Sequence, residues 1–314
     1  MKYLVIGGGQ IARQLVGDIE ARGHEAVVLR RRAEPVGAAS VIAGDAADGA
    51  AVLAAARGTA AILHCVHAAY SPEAWRRELP GPERAAMEAG AALGIPVVFP
   101  ESVYAFGLGA RRLSEASPVA PVSPLGQVRA ELLAARAAHP ALTASVVASD
   151  LLGPTSTRGG SVFLGQVIAP AAVGKTAWVL GDPGQPHAIT AIADLSAAML
   201  MVAGDPGRWI RGGDAILLAP TGEARPQRAV AEEAARLAGA RPARLRTLPA
   251  WILRALGTLS PTMRQLHRQL YLWDATVRLE PGRLSVEGGL DPQSWEELLR
   301  SSLPEALGAA PRAA

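Results

Sequence analysis

The feature that most constrains this chain is the stretch Tyr3-Leu4-Val5-Ile6-Gly7-Gly8-Gly9-Gln10-Ile11-Ala12. A short apolar run stops at three glycines, and Arg13-Gln14-Leu15-Val16 then opens an amphipathic helix. The order is strand, glycine turn, helix. In the spacing Gly7-x-Gly9-x-x-Ala12, Gly7 permits the tight turn, Gly9 lets the backbone approach a pyrophosphate, and small Ala12 lets helix and strand pack closely. Gln10 and Ile11, inside the turn, are read as cofactor contacts, with a phosphate at the helix N-terminus, where unpaired N–H groups and the positive end of the dipole favour an anion.

Strands and helices then alternate. Glu25 to Leu29 reads as a second strand ending on Arg30-Arg31-Arg32. An acidic side chain at that strand end would accept from the ribose hydroxyl of NAD, whereas arginine forks onto a 2′-phosphate. The three arginines therefore favour NADP(H), with NAD(H) as the alternative. Ser40 to Ala43 is a third strand, leading to Gly44-Asp45-Ala46, where Asp45 is read as a helix cap or an adenine contact. Ala60 to Val66 is a fourth strand, whose carboxyl end at Cys65, Val66 and His67 should face the cofactor crevice. A helix over Glu83–Leu93 and a strand over Ile95–Phe99 follow. Alternation this regular predicts a right-handed, doubly wound parallel sheet of the α/β class.

Composition narrows the function classes. A net charge of +3 could suggest nucleic acid, but the arginines look scattered and aromatics are only 4%, which leaves no stacking platform. One cysteine, Cys65, rules out a disulfide framework or a Cys-rich metal site and fits a reducing cytoplasm. A strand that begins within the first residues leaves no room for a signal peptide, and no apolar run reaches the ~20 residues of a membrane span. The expected partner is a small-molecule substrate, with neither nucleic acid nor membrane.

Further stretches carry a family resemblance. Together with the N-terminal glycines and Gly44-Asp45, the segments Phe99-Pro100-Glu101-Ser102-Val103-Tyr104-Ala105-Phe106-Gly107, Ser123-Pro124-Leu125-Gly126 through Glu131, Ala148 through Pro154 and Gly181 through His187 resemble the extended short-chain dehydrogenase/reductases, the NAD-dependent epimerase/dehydratase family. The resemblance implies an α/β Rossmann fold over residues 1–150, to which 183–206 returns, and a smaller C-terminal α+β domain over 151–314 that is mainly substrate-binding and carries the lid. It also implies one bound dinucleotide and a homodimer formed through helices near 83–93 and 127–138.

The departure from the family pattern is as informative as the match. Members usually carry Ser or Thr and then Tyr-x-x-x-Lys, in which tyrosine moves a proton and lysine lowers its pKa and holds the nicotinamide ribose. Ser102 falls on the serine position, but Leu125 stands at the tyrosine position and Arg129 at the lysine position. Tyr3, Tyr70, Tyr104 and Tyr271 are the tyrosines, and none has lysine four residues on. Arg129 retains the capacity to hydrogen-bond a ribose, as a fixed charge and not a titrating one.

Three readings follow. The first is an NADP(H)-dependent oxidoreductase or epimerase whose acid/base has moved to Tyr104, Tyr70 or His67. The second is a non-redox dehydration, isomerisation or cyclisation on the same fold, and the third an inactive NADP(H) sensor.

In the second half, Thr143 to Ala148 is a sixth strand with Asp150 just past its end, facing the crevice or capping a turn. The segment from Gly159 should fold over the substrate, and Asp194 is the expected N-cap of a helix over Leu195–Val202. Trp251, Tyr271 and Trp273 are expected in the core, on helices Trp251–Leu256 and Met263–Trp273, and the tail after Leu307 is expected to fray.

Overall fold

The computed structural model describes residues 1–308; the expected fraying of the tail, from 309 on, lies outside the described residues. The first half runs β1 (Lys2–Ile6), α1 (Gln10–Ala21), β2 (Glu25–Arg30), β3 (Ser40–Ala43), α2 (Gly49–Ala56), β4 (Ala61–His64), α3 (Pro72–Glu78), α4 (Pro80–Leu93) and β5 (Val97–Ser102). After a 3₁₀ segment (Val103–Arg112) kinked at Gly107 come α5 (Pro124–Ala137), β6 (Thr143–Ala148), β7 (Asp150–Leu152), α6 (Ala169–Ala172), β8 (Thr176–Val179), β9 (Pro186–His187), β10 (Ile189–Ala191) and α7 (Ile192–Gly204). The remainder is α8 (Pro206–Trp209), β11 (Asp214–Leu218), β12 (Arg225–Pro226), α9 (Gln227–Leu237), β13 (Arg244–Thr247), α10 (Ala250–Leu256), α11 (Pro261–Arg268), α12 (Arg283–Val286) and α13 (Trp295–Leu307).

Seven strands form one sheet in the order β11-β6-β5-β4-β1-β2-β3. Every pairing in it is parallel. The order reverses between β1 and β4, which opens a crevice beyond their carboxyl ends. Alternate residues of β1 serve opposite faces. Tyr3 and Val5 pack with Leu15, Val16 and Ile19 of α1 and Leu195 of α7, while Leu4 and Ile6 pack with Val52 of α2 and Ala86 of α4. Strands covered on both faces need apolar residues at every position, which is why β1 and β4 read as continuous runs. A third core, built around Phe163, Leu180, Trp273 and Leu299, fills the smaller C-terminal part.

Several local expectations are corrected. Asp48, not Asp45, caps α2, accepting from Ala50 and Ala51; Asp45 instead accepts from Ala47 N at 3.0 Å, an Asx turn that spends it one step early. Asp194 lies inside the first turn of α7, because β10 runs straight into the helix and Ala191 occupies the cap. Its carboxylate holds the Gln293 N–H at 2.9 Å. The helix expected over Met263–Trp273 breaks after Arg268, where buried Gln269 turns to donate to Ser123 Oγ at 3.0 Å. Trp251 is 66% exposed and not core, because α10 packs inward through Leu253.

Candidate functional site

The crevice is built by the backbone first. Gly7 has φ of +113°, and a Cβ there would meet Cys65 O at 2.8 Å, so the ends of β1 and β4 approach as closely as they do because position 7 is glycine. Beyond Gly9 there is nothing within 4 Å of an added Cβ. Gly9 is the N-cap of the twelve-residue α1, no side chain caps it, and the first turn carries no acid. Unclaimed N–H groups above an open space fit a pyrophosphate. Ala12 is fully buried against the sheet, whereas Ile11 and Gln10 keep partial exposure. Gln10 Oε1 accepts from Thr157 N at 3.0 Å and Arg13 donates to Thr155 O at 3.1 Å, which ties the glycine turn to the loop after β7.

Arg30 closes the other side. Its guanidinium lies against Gly8, where an added Cβ would meet Cζ at 2.9 Å, and it pairs with Glu34 at 2.5 Å. Arg32 lies 3.8 Å from the same carboxylate, while Arg31 is exposed and has no ion pair among the described residues. Asp45 is exposed beside half-buried Ala46, and Cys65 and Val66 are half-buried at the end of β4. His67 is exposed, its ring 5.4 Å from that of Trp75.

The end of β5 carries the polar chemistry. Ser102 donates through its amide to Glu101 Oε1 at 2.7 Å and through its hydroxyl at 3.3 Å. Arg129, from α5, approaches the same carboxylate at 3.5 Å and lies 4.6 Å over the Trp75 ring. Arg136, two turns further along the same face of α5, donates to Glu101 at 3.0 Å, to Ser145 at 2.9 Å and to both oxygens of Glu83. Two arginines and two glutamates thus meet behind the sheet with their charges balanced. Burial alone would raise the Glu83 carboxyl, but Arg136 outweighs it and holds it below the usual carboxylate range. His64, at the end of β4, is pushed down to about 4, chiefly by burial, the pull of Glu83 being insufficient to offset it.

Leu125 is 0% exposed and sits with Trp75, Leu79, Val128 and Leu132 in an apolar cluster. Phenol chemistry is found elsewhere. Tyr70 Oη and Tyr104 Oη are 3.0 Å apart, and both rings pack against the same cluster. Burial, first of all, raises both phenols above their ordinary value, and the charge of Asp150 adds to this. Tyr271 is pushed up to about 12 by burial, with a smaller opposing pull from Ser123. Asp150, its carboxyl turned inward to accept the Phe163 N–H at 2.8 Å, is pushed up to about 6 by burial. Three of the four tyrosines and one carboxyl group therefore feel one another at one end of the sheet.

The structure places Ser102, Tyr104, Tyr70 and Arg129 around Trp75 and Glu101, and sets His67 at the exposed rim. Glu101 and Trp75 escaped the sequence reading. The available signal was a glutamate directly before Ser102 in an otherwise apolar strand. His187 is buried and stacked on Trp273 at 4.2 Å, in the core of the C-terminal part. Among the described residues no group of three or more His, Cys, Asp or Glu is placed to hold a metal ion.

The fold has solved relatives. UDP-glucose 4-epimerase from Brucella ovis, in complex with NAD, superposes with a TM-score of 0.74 at 18% identity, covering 98% of each chain. The Thermus thermophilus UDP-glucose 4-epimerase, also complexed with NAD, gives 0.71 at 20% identity over 99% of this chain and 100% of that one. The UDP-Glc/GlcNAc 4-epimerase of Campylobacter jejuni gives 0.72 at 16% identity over 98% and 99%. Similarity this low speaks for the fold alone. No curated protein matches the sequence. A family model does, over residues 3–213, and it spans the glycine turn, the crevice and the end of β5: the chain belongs to the NAD dependent epimerase/dehydratase family.

Proposed function

We propose that the protein binds NADP(H) beyond the ends of β1 and β4 and reduces a small carbonyl substrate, with Tyr104 as the proton donor and Tyr70 behind it. The observation that carries this reading is the 3.0 Å contact between the two phenols, beside Ser102 and Arg129, in a chain whose Leu125 cannot transfer a proton. The Gly7–Ala12 turn and Arg129 would hold the dinucleotide, which when bound would supply the hydride that reduces the carbonyl carbon. Tyr104 Oη gives its proton to the carbonyl oxygen; Tyr70 donates a hydrogen bond to the resulting phenolate until a proton from solvent restores Tyr104. Ser102, held by Glu101, orients the same oxygen. Arg129, fixed between Glu101 and Trp75, offers a permanent charge to the nicotinamide ribose.

Both phenols are raised above their ordinary value and are protonated at neutral pH, so they serve as donors before acceptors. Preference for NADP(H) over NAD(H) is supported by the arginine run: Arg30 and Arg32 share Glu34, which leaves Arg31 to fork onto a 2′-phosphate. The remaining cofactor contacts in this reading are the Gly7–Ala12 turn, Asp45 and Ala46 at the adenine, and Cys65, Val66 and His67 beside the nicotinamide. The part beyond residue 150 holds the substrate, the protein works in the cytoplasm, and two copies pair through α4 and α5. Turnover of small aldehydes and ketones with NADPH, compared between the wild type and Tyr104→Phe, tests the proposal.

A further inference from the structure

The acidic residues of the chain stop at Glu233 and resume at Asp274; the residues between them include seven arginines and no aspartate or glutamate. This interval folds into β13, α10, α11 and the turns joining them. α10 buries Leu253 and leaves Trp251 66% and Leu256 44% exposed, and the turn to α11 carries Leu259 88% exposed. Arg254, Arg264 and Arg268 are exposed on the same hairpin, and Arg246 is exposed on β13. None of these four has an ion pair among the described residues. The acidic side chain whose field reaches Arg264 and Arg268 is Glu73, at the start of α3. Arg264 Nε also donates to Gly257 O at 2.9 Å, which fixes the turn that presents Leu259.

We infer that the α10–α11 hairpin is a docking surface for an anionic lipid bilayer. A tip carrying exposed Leu256 and Leu259, with exposed Trp251 at the far end of α10 and guanidinium groups without ion pairs beside them, has the two parts that interfacial binding needs: apolar side chains to enter the headgroup region and cations to meet anionic lipid. Charge complementarity selects this occupant. A second copy of the chain would bring the same arginines face to face. A nucleic acid would satisfy the arginines but leave Leu256 and Leu259 in water, and base stacking would find only Trp251. The attachment is peripheral, since among the described residues no helix is long and apolar enough to cross a membrane. It narrows the sequence-based expectation of no membrane partner to the absence of a span. Arginines that look scattered in the sequence are gathered here by the absence of acids between them.

The test is flotation of the full chain with vesicles of phosphatidylcholine alone and with about 30% phosphatidylserine. The expected result is at least about tenfold more protein on the anionic vesicles at low salt, with release as salt shortens the Debye length. Leu259→Asp, at a side chain that is almost fully exposed, should lower this binding about tenfold or more while leaving the far-UV spectrum and Tm unchanged. Arg254→Glu, also exposed, should do the same by reversing a charge. Equal binding to both vesicle types, no binding to either, or wild-type binding by both variants would overturn the inference. Retention on duplex DNA that Leu259→Asp does not alter, or a dimer that Leu259→Asp dissociates, would overturn it in favour of a nucleic acid or a second copy.

Discussion

Arg136 and Glu101 form an ion pair at 3.0 Å in the interior, and the other arm of the same guanidinium grips Glu83. A helix on one side of the sheet is thus bolted to the strand that ends in Ser102. Removing Arg136 strands two buried carboxylates, so Arg136→Ala should cost about 3–5 kcal/mol in denaturant unfolding. In the wild type the depressed Glu83 contributes stability that is present above its unfolded pKa and lost as pH falls through its folded value. In Arg136→Ala the sign reverses: burial then raises Glu83, and the variant should recover stability as the solution is acidified. A variant that loses further stability on acidification would show that the pair is not what holds Glu83 down.

Acid stability has a second component. His64 and His187 are both held at about 4 by burial, so folding loses stability as pH falls from the unfolded value of about 6.5 towards 4. Asp150 and Asp194 are both raised to about 6, and their contribution grows as pH falls through that value towards 4. The two pairs oppose each other over nearly the same window. Asp194→Asn, which keeps an acceptor for Gln293 N–H, should therefore lose stability more steeply between about pH 6 and 4 than the wild type does. Denaturant midpoints measured across that range decide it; parallel curves would contradict the assignment.

The glycine turn gives a contrast between two nearby substitutions. Gly9→Val enters open space and should leave Tm within a few degrees while removing dinucleotide binding, because the side chain takes the pyrophosphate's place. Gly7→Val meets Cys65 O and a positive φ, and should unfold or fail to accumulate. Fluorescence titration with thermal melts separates the two; full cofactor affinity in Gly9→Val would reduce the motif to a turn.

Cofactor choice is read at the end of β2. Arg31→Ala should weaken NADP(H) about tenfold or more and leave NAD(H) nearly unchanged, since only the former carries a 2′-phosphate. Titration of both cofactors into wild type and variant gives the answer. Equal wild-type affinities would place the arginine cluster on the solvent side and out of the site.

The sheet was legible because residues buried on both faces leave continuous apolar runs, and because the glycine spacing at Gly7, Gly9 and Ala12 marks where the order reverses. Local caps were less so. Asp45 and Asp48 offer equivalent carboxylates, and only the course of the chain decides that Asp48 reaches Ala50 while Asp45 spends itself on Ala47. Trp251 reads as core in sequence, yet its helix turns Leu253 inward instead. At the candidate site, Ser102 was visible by resemblance, but its partner Glu101 and the Trp75 beneath Arg129 come from segments whose meeting no spacing encodes. Leu125 marked what was missing; that it lies in a filled apolar cluster, where a tyrosine would be overpacked, required the packing itself.

The central claim is that Tyr104 donates the proton. With a carbonyl substrate and saturating NADPH, Tyr104→Phe removes one hydroxyl, Tyr70→Phe removes its partner 3.0 Å away, and both leave the rings in place. The measurement is kcat for the two variants and wild type, with cofactor affinity determined alongside. The account predicts a loss of about 10²- to 10⁴-fold in Tyr104→Phe, a smaller loss in Tyr70→Phe, and unchanged NADPH affinity in both. Wild-type kcat in Tyr104→Phe would contradict it.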